Sequence, residues 1–139
     1  MKIHLKRNEK LFINGAVICM DRRGSIELLN DAQFLLENHI MQQETADTPM
    51  RQIYFIVQTM LMDPANAHLT VFLFRSYAKR LKQLVSSHKC RESIEQTEAL
   101  VEKLDYYGAL KILRQSFELG KEECLNPAAI SQIANSEAA

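Results

Sequence analysis

The sequence predicts an α+β fold, with a small N-terminal antiparallel β-sheet followed by a C-terminal bundle of three to four helices. Three observations carry that expectation. Apolar residues alternate with polar ones through roughly the first thirty positions, around an Asn14-Gly15 step. From residue 48 onward they recur instead at three and four residues, the period of an amphipathic helix. No Gly/Ser-rich or Pro-rich linker divides the two regimes, and 139 residues with 47% hydrophobic content can bury a shared core without a disulfide or a metal. The expected organisation is one domain over 1–139. It has a β-rich part at 1–43, a helical part at 48–125 and a tail at 126–139 whose small and polar residues favour fraying.

Taken in order, Ile3 and Leu5 alternate with Lys2, His4 and Lys6, as in a half-buried strand. Leu11-Phe12-Ile13 runs into Asn14-Gly15, two residues that tolerate the positive φ of a type I′ hairpin turn, and the chain returns through Ala16-Val17-Ile18-Cys19-Met20. Asp21-Arg22-Arg23-Gly24 reads as a second turn and residues 25–29 as a further strand, giving three or four short strands. Such a sheet is not stable with its apolar face open, so it must pack on the helices or on a second copy of the chain. Residues 32–43 fit a strand or a short helix, and the reading leans to strand. Thr48-Pro49 then supplies a capping hydroxyl and a proline at the first helical position, ahead of Ile53, Phe55, Ile56, Met60 and Leu61. Asp63-Pro64 stops that helix. Asn66 can cap the next, which runs to the region of Ser87 with Val71, Phe74, Tyr77, Ala78, Leu81, Leu84 and Val85 on one face. A third helix from the region of Arg91 to Tyr106 uses Ile94, Val101 and Leu104 as its seam. It bends at Gly108 and continues through Leu110, Leu113 and Phe117 to Gly120.

Composition excludes several function classes. Seventeen basic and 17 acidic side chains sum to zero, with a pI near 6.9, which rules out a uniformly basic nucleic-acid module while leaving room for a basic patch. No apolar run approaches the roughly 20 residues that cross a bilayer, so no membrane partner is expected. Met1 to Arg7 carry charge where a secretory leader is apolar, so the expected location is the cytoplasm. Cys19, Cys90 and Cys124 form no C-x-x-C pair and read as isolated reduced thiols. No His or Cys pair has the close spacing of a zinc site, and the glycine-rich phosphate loops and the G-x-S-x-G nucleophile turn are missing. A remote dyad such as Cys90 with His39 stays open, but nothing singles out the third group that would orient it. The expectation is a protein that is not an enzyme and holds no metal and no cofactor.

Charge is blocked along the chain: net +3 over residues 1–30, −4 over 31–50, +6 over 51–91 and −5 over 92–139. Such blocks either pair inside the fold or face a charged partner. On the second long helix Arg75, Lys79 and Lys82 form one stripe that would suit a phosphate backbone. The next helix carries Glu95, Glu98, Glu102 and Asp105 at matching spacing, and an antiparallel hairpin would set the two rows side by side. Both readings stay open. Lys6, Arg7, Lys10, Arg22 and Arg23 have only Glu9 and Asp21 near them in sequence. Cations at strand ends hold phosphates and splayed bases of single-stranded RNA, or guard a sheet edge against aggregation. The methionines at 41, 50, 60 and 62 either fill the core or help Phe55, Met60 and Met62 line a groove for a partner.

Leu11-Phe12-Ile13-Asn14-Gly15-Ala16-Val17, Asp21-Arg22, Glu27-Leu28-Leu29-Asn30-Asp31 and Phe34-Leu35-Leu36-Glu37-Asn38-His39 together resemble the FlbT family of flagellum biosynthesis regulators. The likeness continues through Thr48-Pro49 and Ile53-Tyr54-Phe55 and covers essentially the whole chain. It implies a post-transcriptional repressor that binds the 5′ untranslated region of flagellin mRNA and promotes its degradation, working beside the small protein FlaF. The alternative it implies is a protein-interaction module or chaperone-like partner of flagellin or FlaF, without direct RNA binding. The family resemblance brings no RNA-contacting residues with it, so the candidates remain Lys6, Arg7, Lys10, Arg22, Arg23, Arg75, Lys79 and Lys82. Leu5-Lys6-Arg7, Glu9 to Ile13 and Gly15-Ala16-Val17 also look like the opening of the carbon storage regulator family. That likeness implies an RNA-binding, interlocked β homodimer.

Overall fold

The computed structural model describes residues 1–119; the expected helix stop at Gly120, the tail at 126–139 and Cys124 lie outside them. Five strands precede four helices: β1 (Lys2–Leu5), β2 (Lys10–Ile13), β3 (Ala16–Cys19), β4 (Gly24–Glu27), β5 (Phe34–Leu36), α1 (Pro49–Met62), α2 (Ala67–Leu84), α3 (His88–Glu102) and α4 (Tyr106–Leu119). The α+β expectation holds, with four strands before residue 30 and a fifth in the stretch that leaned to strand. The ambiguous stretch after residue 32 divides, giving β5 and then a 3-10 turn at Glu37–His39.

The first four strands are two halves of one hairpin ribbon. β2 pairs antiparallel with β3 around Asn14 (φ 48) and Gly15 (φ 83), the two positive dihedrals a type I′ turn requires. β1 pairs with β4 in the same register: Leu5 faces Gly24 and Lys10 faces Cys19, leaving residues 6–9 on one arm and 20–23 on the other between the ladders. There the ribbon bends. The Glu9 N–H donates to the Lys6 carbonyl at 3.1 Å, Asn8 takes φ 66, and the Asn8 N–H crosses to the Met20 carbonyl at 2.8 Å. Asp21-Arg22-Arg23 therefore turns the chain as expected, but as the outer arm of a bend rather than as a new reversal. β5 joins the other edge of β2, giving the order β3-β2-β5.

Two apolar clusters share the interior. Ile3, Leu5, Leu11 and Phe34 form the smaller one between the bent halves of the ribbon. Leu35 of β5 belongs to the larger one, which α1 to α4 build. Tyr107 packs against both and stacks on Phe34 with ring centroids 4.7 Å apart. The helices, rather than a second copy, thus cover the buried face of β5. β3 lies on the sheet's edge with all four residues exposed.

Thr48 caps α1, its hydroxyl accepting the Arg51 N–H at 3.2 Å, with Pro49 following as expected. Asn66 occupies the cap position of α2 without capping it; its side-chain amide donates to Asp63 Oδ2 at 2.9 Å instead. Ser87 caps α3, which starts at His88, three residues before the start expected near Arg91. The seam assigned to Leu104 is a correction. α3 ends at Glu102, and Leu104 sits outside it at φ 62 and 67% exposed. The Leu104 N–H donates to the Val101 carbonyl at 2.9 Å and the Asp105 N–H to the Leu100 carbonyl at 2.9 Å, a Schellman closure with leucine where glycine is usual. α4 is therefore a separate helix, and the bend expected at Gly108 falls earlier. The Asp105 carboxylate accepts the Gly108 N–H at 2.9 Å, and a Cβ at Gly108 would lie 2.5 Å from Asp105 Oδ2. Glycine is required there by the cap. No helix among the described residues is long and apolar enough to cross a membrane.

Candidate nucleic-acid interface

The bend of the ribbon gathers the N-terminal cations. Lys6 and Arg7 lie on one unpaired arm of the bend and Arg22 and Arg23 on the other, between the pairs Leu5–Gly24 and Lys10–Cys19. Lys6 and Arg23 line one groove of about 690 Å³ with His4, Leu5, Gly24 and Ser25. The nearby carboxylates do little to neutralise the cluster. Asp21 meets Arg22 at 3.9 Å with both side chains almost fully exposed, and Glu9 accepts the Lys6 backbone N–H at 3.4 Å. Glu37 accepts the Lys10 backbone N–H at 3.1 Å. Among the described residues, Lys6, Arg7, Lys10 and Arg23 form no ion pair within 4.0 Å. In the groove wall His4 Nδ1 and Ser25 Oγ are hydrogen-bonded at 2.7 Å.

The helical stripe behaves differently. Arg75 Nε meets Glu102 Oε1 at 3.0 Å and Lys82 Nζ meets Glu98 Oε1 at 2.7 Å. The ladder between the basic and acidic rows forms, so Arg75 and Lys82 are each paired with a carboxylate of the same molecule. Lys79 stays exposed between them. The groove of Phe55, Met60 and Met62 is also corrected. Met60 has 0% exposure, and Met62 packs on the same core, because the apolar face of α1 points inward at that turn. Exposed large apolar side chains lie on α2 instead, where Leu69, Phe72 and Leu73 face solvent while Phe74 and Tyr77 are buried. Its signal was in the sequence, as apolar residues off the assigned face. Cys90 is buried in the larger apolar cluster. Cys19 is free and exposed.

A second cluster was missed. His39, Arg51, Tyr54, Arg114 and Phe117 line a cleft beside residues 38–45. The Tyr54 hydroxyl donates to the His39 carbonyl at 2.6 Å and accepts from Arg114 Nη1 at 3.1 Å. Burial lowers the His39 pKa and the Arg114 charge lowers it further. Burial raises that of Tyr54, against the opposing hydrogen bond and charge of Arg114. No local motif announces this site, because Tyr54 and Arg114 are 60 residues apart.

Comparisons place the chain among known proteins. The family described as flagellar protein FlbT matches residues 1–123. A probable flagellum biosynthesis repressor protein FlbT of Mesorhizobium japonicum is 46% identical over 122 residues, covering 86% of this chain and 81% of its own. One of Allorhizobium ampelinum is 38% identical over 138 residues, covering 96% and 92%. A probable flagellum biosynthesis repressor protein FlbT 2 of Bradyrhizobium diazoefficiens is 42% identical over 117 residues, covering 84% and 86%. No solved structure matches. These relatives are named as repressors, not as enzymes, in agreement with the expectation of a non-catalytic protein. With the family matched over most of its length, the chain belongs to the FlbT family of flagellar proteins.

Proposed function

We propose that this chain regulates flagellum synthesis in the cytoplasm by binding the 5′ untranslated region of flagellin mRNA at the bend of its hairpin ribbon and promoting that message's degradation. The observation that carries the reading is that Lys6 and Arg23 line one groove at the bend, with Arg7, Lys10 and Arg22 close by in the chain and Asp21–Arg22 at 3.9 Å as the one carboxylate contact of these cations among the described residues. Holding like charges together costs folding free energy. A polyanion recovers it, since each phosphate neutralised releases counterions. Affinity for single-stranded RNA should therefore fall steeply with salt, by roughly 0.7 in log affinity per log unit of salt for each phosphate held. Replacing Arg22 and Arg23 together by alanine should flatten that slope and weaken binding. An unchanged slope and affinity in the folded variant would refute this interface.

The alternative, a chaperone-like module for flagellin or FlaF, is favoured by the exposed Leu69, Phe72 and Leu73 on α2. Its signature is binding that ignores salt and carries a negative heat-capacity change.

A further inference from the structure

The cleft between residues 38–45, α1 and α4 has the parts of a small-molecule site and takes no part in the RNA reading. Its volume is about 440 Å³, inside the range of about 300–1,000 Å³ that such sites span. Two guanidinium groups enter it, Arg51 from α1 and Arg114 from α4. Arg51 is neutralised by Asp47, whose Oδ1 lies 3.0 Å from Nη1. Arg114 is half-buried, donates from Nη1 to the Tyr54 hydroxyl at 3.1 Å, and among the described residues pairs with no carboxylate. A half-buried guanidinium that meets no carboxylate among the described residues can attract an anion.

The rest of the lining indicates what the anion is attached to. Phe117 stands at the wall with its ring 5.6 Å from that of Tyr54, and Ile40 and Met41 supply the aliphatic side. Asn38 and Thr45 offer polar groups at the rim. A planar body with polar edges and one anionic group matches this set, because bases stack on aromatic rings while guanidinium groups hold phosphates. The cleft is also built before any ligand arrives. The buried Gln58 side chain clamps both backbone groups of Met41, accepting its N–H at 2.7 Å and donating to its carbonyl at 2.8 Å, and Tyr54 pins the His39 carbonyl. Such preorganisation lowers the cost of binding.

We infer that this cleft binds a nucleoside monophosphate, with the phosphate on Arg114 and the base against Phe117 and Met41. The inference does not rest on the hairpin interface, and the two fail separately. The test is titration of the full chain, followed by NMR and calorimetry at fixed ionic strength, with AMP, GMP, CMP and UMP, the four nucleosides, inorganic phosphate, N-acetylphenylalanine and a short single-stranded RNA. The expected result is saturable binding of at least one monophosphate, with shifts at the amides of His39, Met41 and Arg114. Affinity for the matching nucleoside should be lower by about tenfold or more, the loss of one charge-assisted contact. Arg114→Met should lose binding by a similar factor. Should that variant fail to fold, Phe117→Leu keeps the cation and should weaken the monophosphate while leaving inorganic phosphate unchanged. R22A/R23A should leave mononucleotide binding untouched. If the RNA perturbs the cleft as the monophosphate does, the ligand is a nucleotide within a strand; if only the free monophosphate does, it is a small-molecule ligand. Absence of saturable binding, equal binding of nucleoside and monophosphate, tighter binding of N-acetylphenylalanine, or indifference to both variants would overturn the assignment.

Discussion

Leu104 shows how one residue can be assigned the wrong environment by a correct periodicity. It continues the spacing of Ile94 and Val101, yet its backbone closes α3 in the left-handed region, where a side chain costs roughly 1–2 kcal/mol relative to glycine. Its side chain is 67% exposed, so little burial offsets that strain. Leu104→Gly should stabilise the protein by about 0.5–1 kcal/mol after the added entropy of the unfolded chain is counted. The check is the midpoint of thermal unfolding, which should rise; a fall would reveal contacts made by the leucine. His39 supplies a second residue-scale expectation. Its pKa in the fold is lowered, so the unfolded chain takes up a proton first as pH falls. The stability it contributes is fully present above the ordinary value of 6.5 and is lost as pH falls toward the lowered one. The melting midpoint should therefore decline between about pH 7.5 and pH 5.5, and His39→Gln, which keeps the backbone carbonyl that Tyr54 uses, should reduce the decline. Identical pH profiles for the two proteins would exclude His39 as a contributor. By contrast, the local chemistry of Asn14-Gly15 and Thr48-Pro49 was legible directly, because each is satisfied by neighbours within a few residues.

At the scale of elements, the period of the apolar residues identified strands and helices, and the surprises came from partners distant in sequence. The opposed stripes on α2 and α3 were visible as two alternatives, and only their docking decided between them. Arg75–Glu102 is a half-exposed pair in a class worth about 0.2–1 kcal/mol. Its role is to remove charge from the surface more than to hold the helices. The bend in the ribbon was readable only as a turn. Its meaning depends on β1 pairing with β4, a contact between residues about twenty apart that alternation does not encode. The cleft at Arg114 was illegible for the same reason in stronger form, since α1 and α4 each contribute an unremarkable residue.

For the whole molecule, Tyr107 is the hinge of stability. It packs on both apolar clusters, stacks on Phe34, and its backbone N–H donates to Gln33 Oε1 at 2.9 Å, while the Gln33 carbonyl receives the Asn14 N–H at 3.3 Å. Sheet and helices should therefore unfold as one unit. Far-UV circular dichroism and tyrosine fluorescence should report coincident transitions in the native protein, and Tyr107→Ala, at a partly buried ring, should lower stability by about 1–3 kcal/mol and separate them. Coincident curves in the variant would show that the two clusters communicate by another route. The ribbon's bend carries a consequence of its own. Because residues 6–9 and 20–23 are tied by the Asn8–Met20 bond and held between two ladders of one register, neither loop can move without the other. The cations of the two arms are thus mounted on one backbone frame, and displacing either arm carries the charges of the other with it.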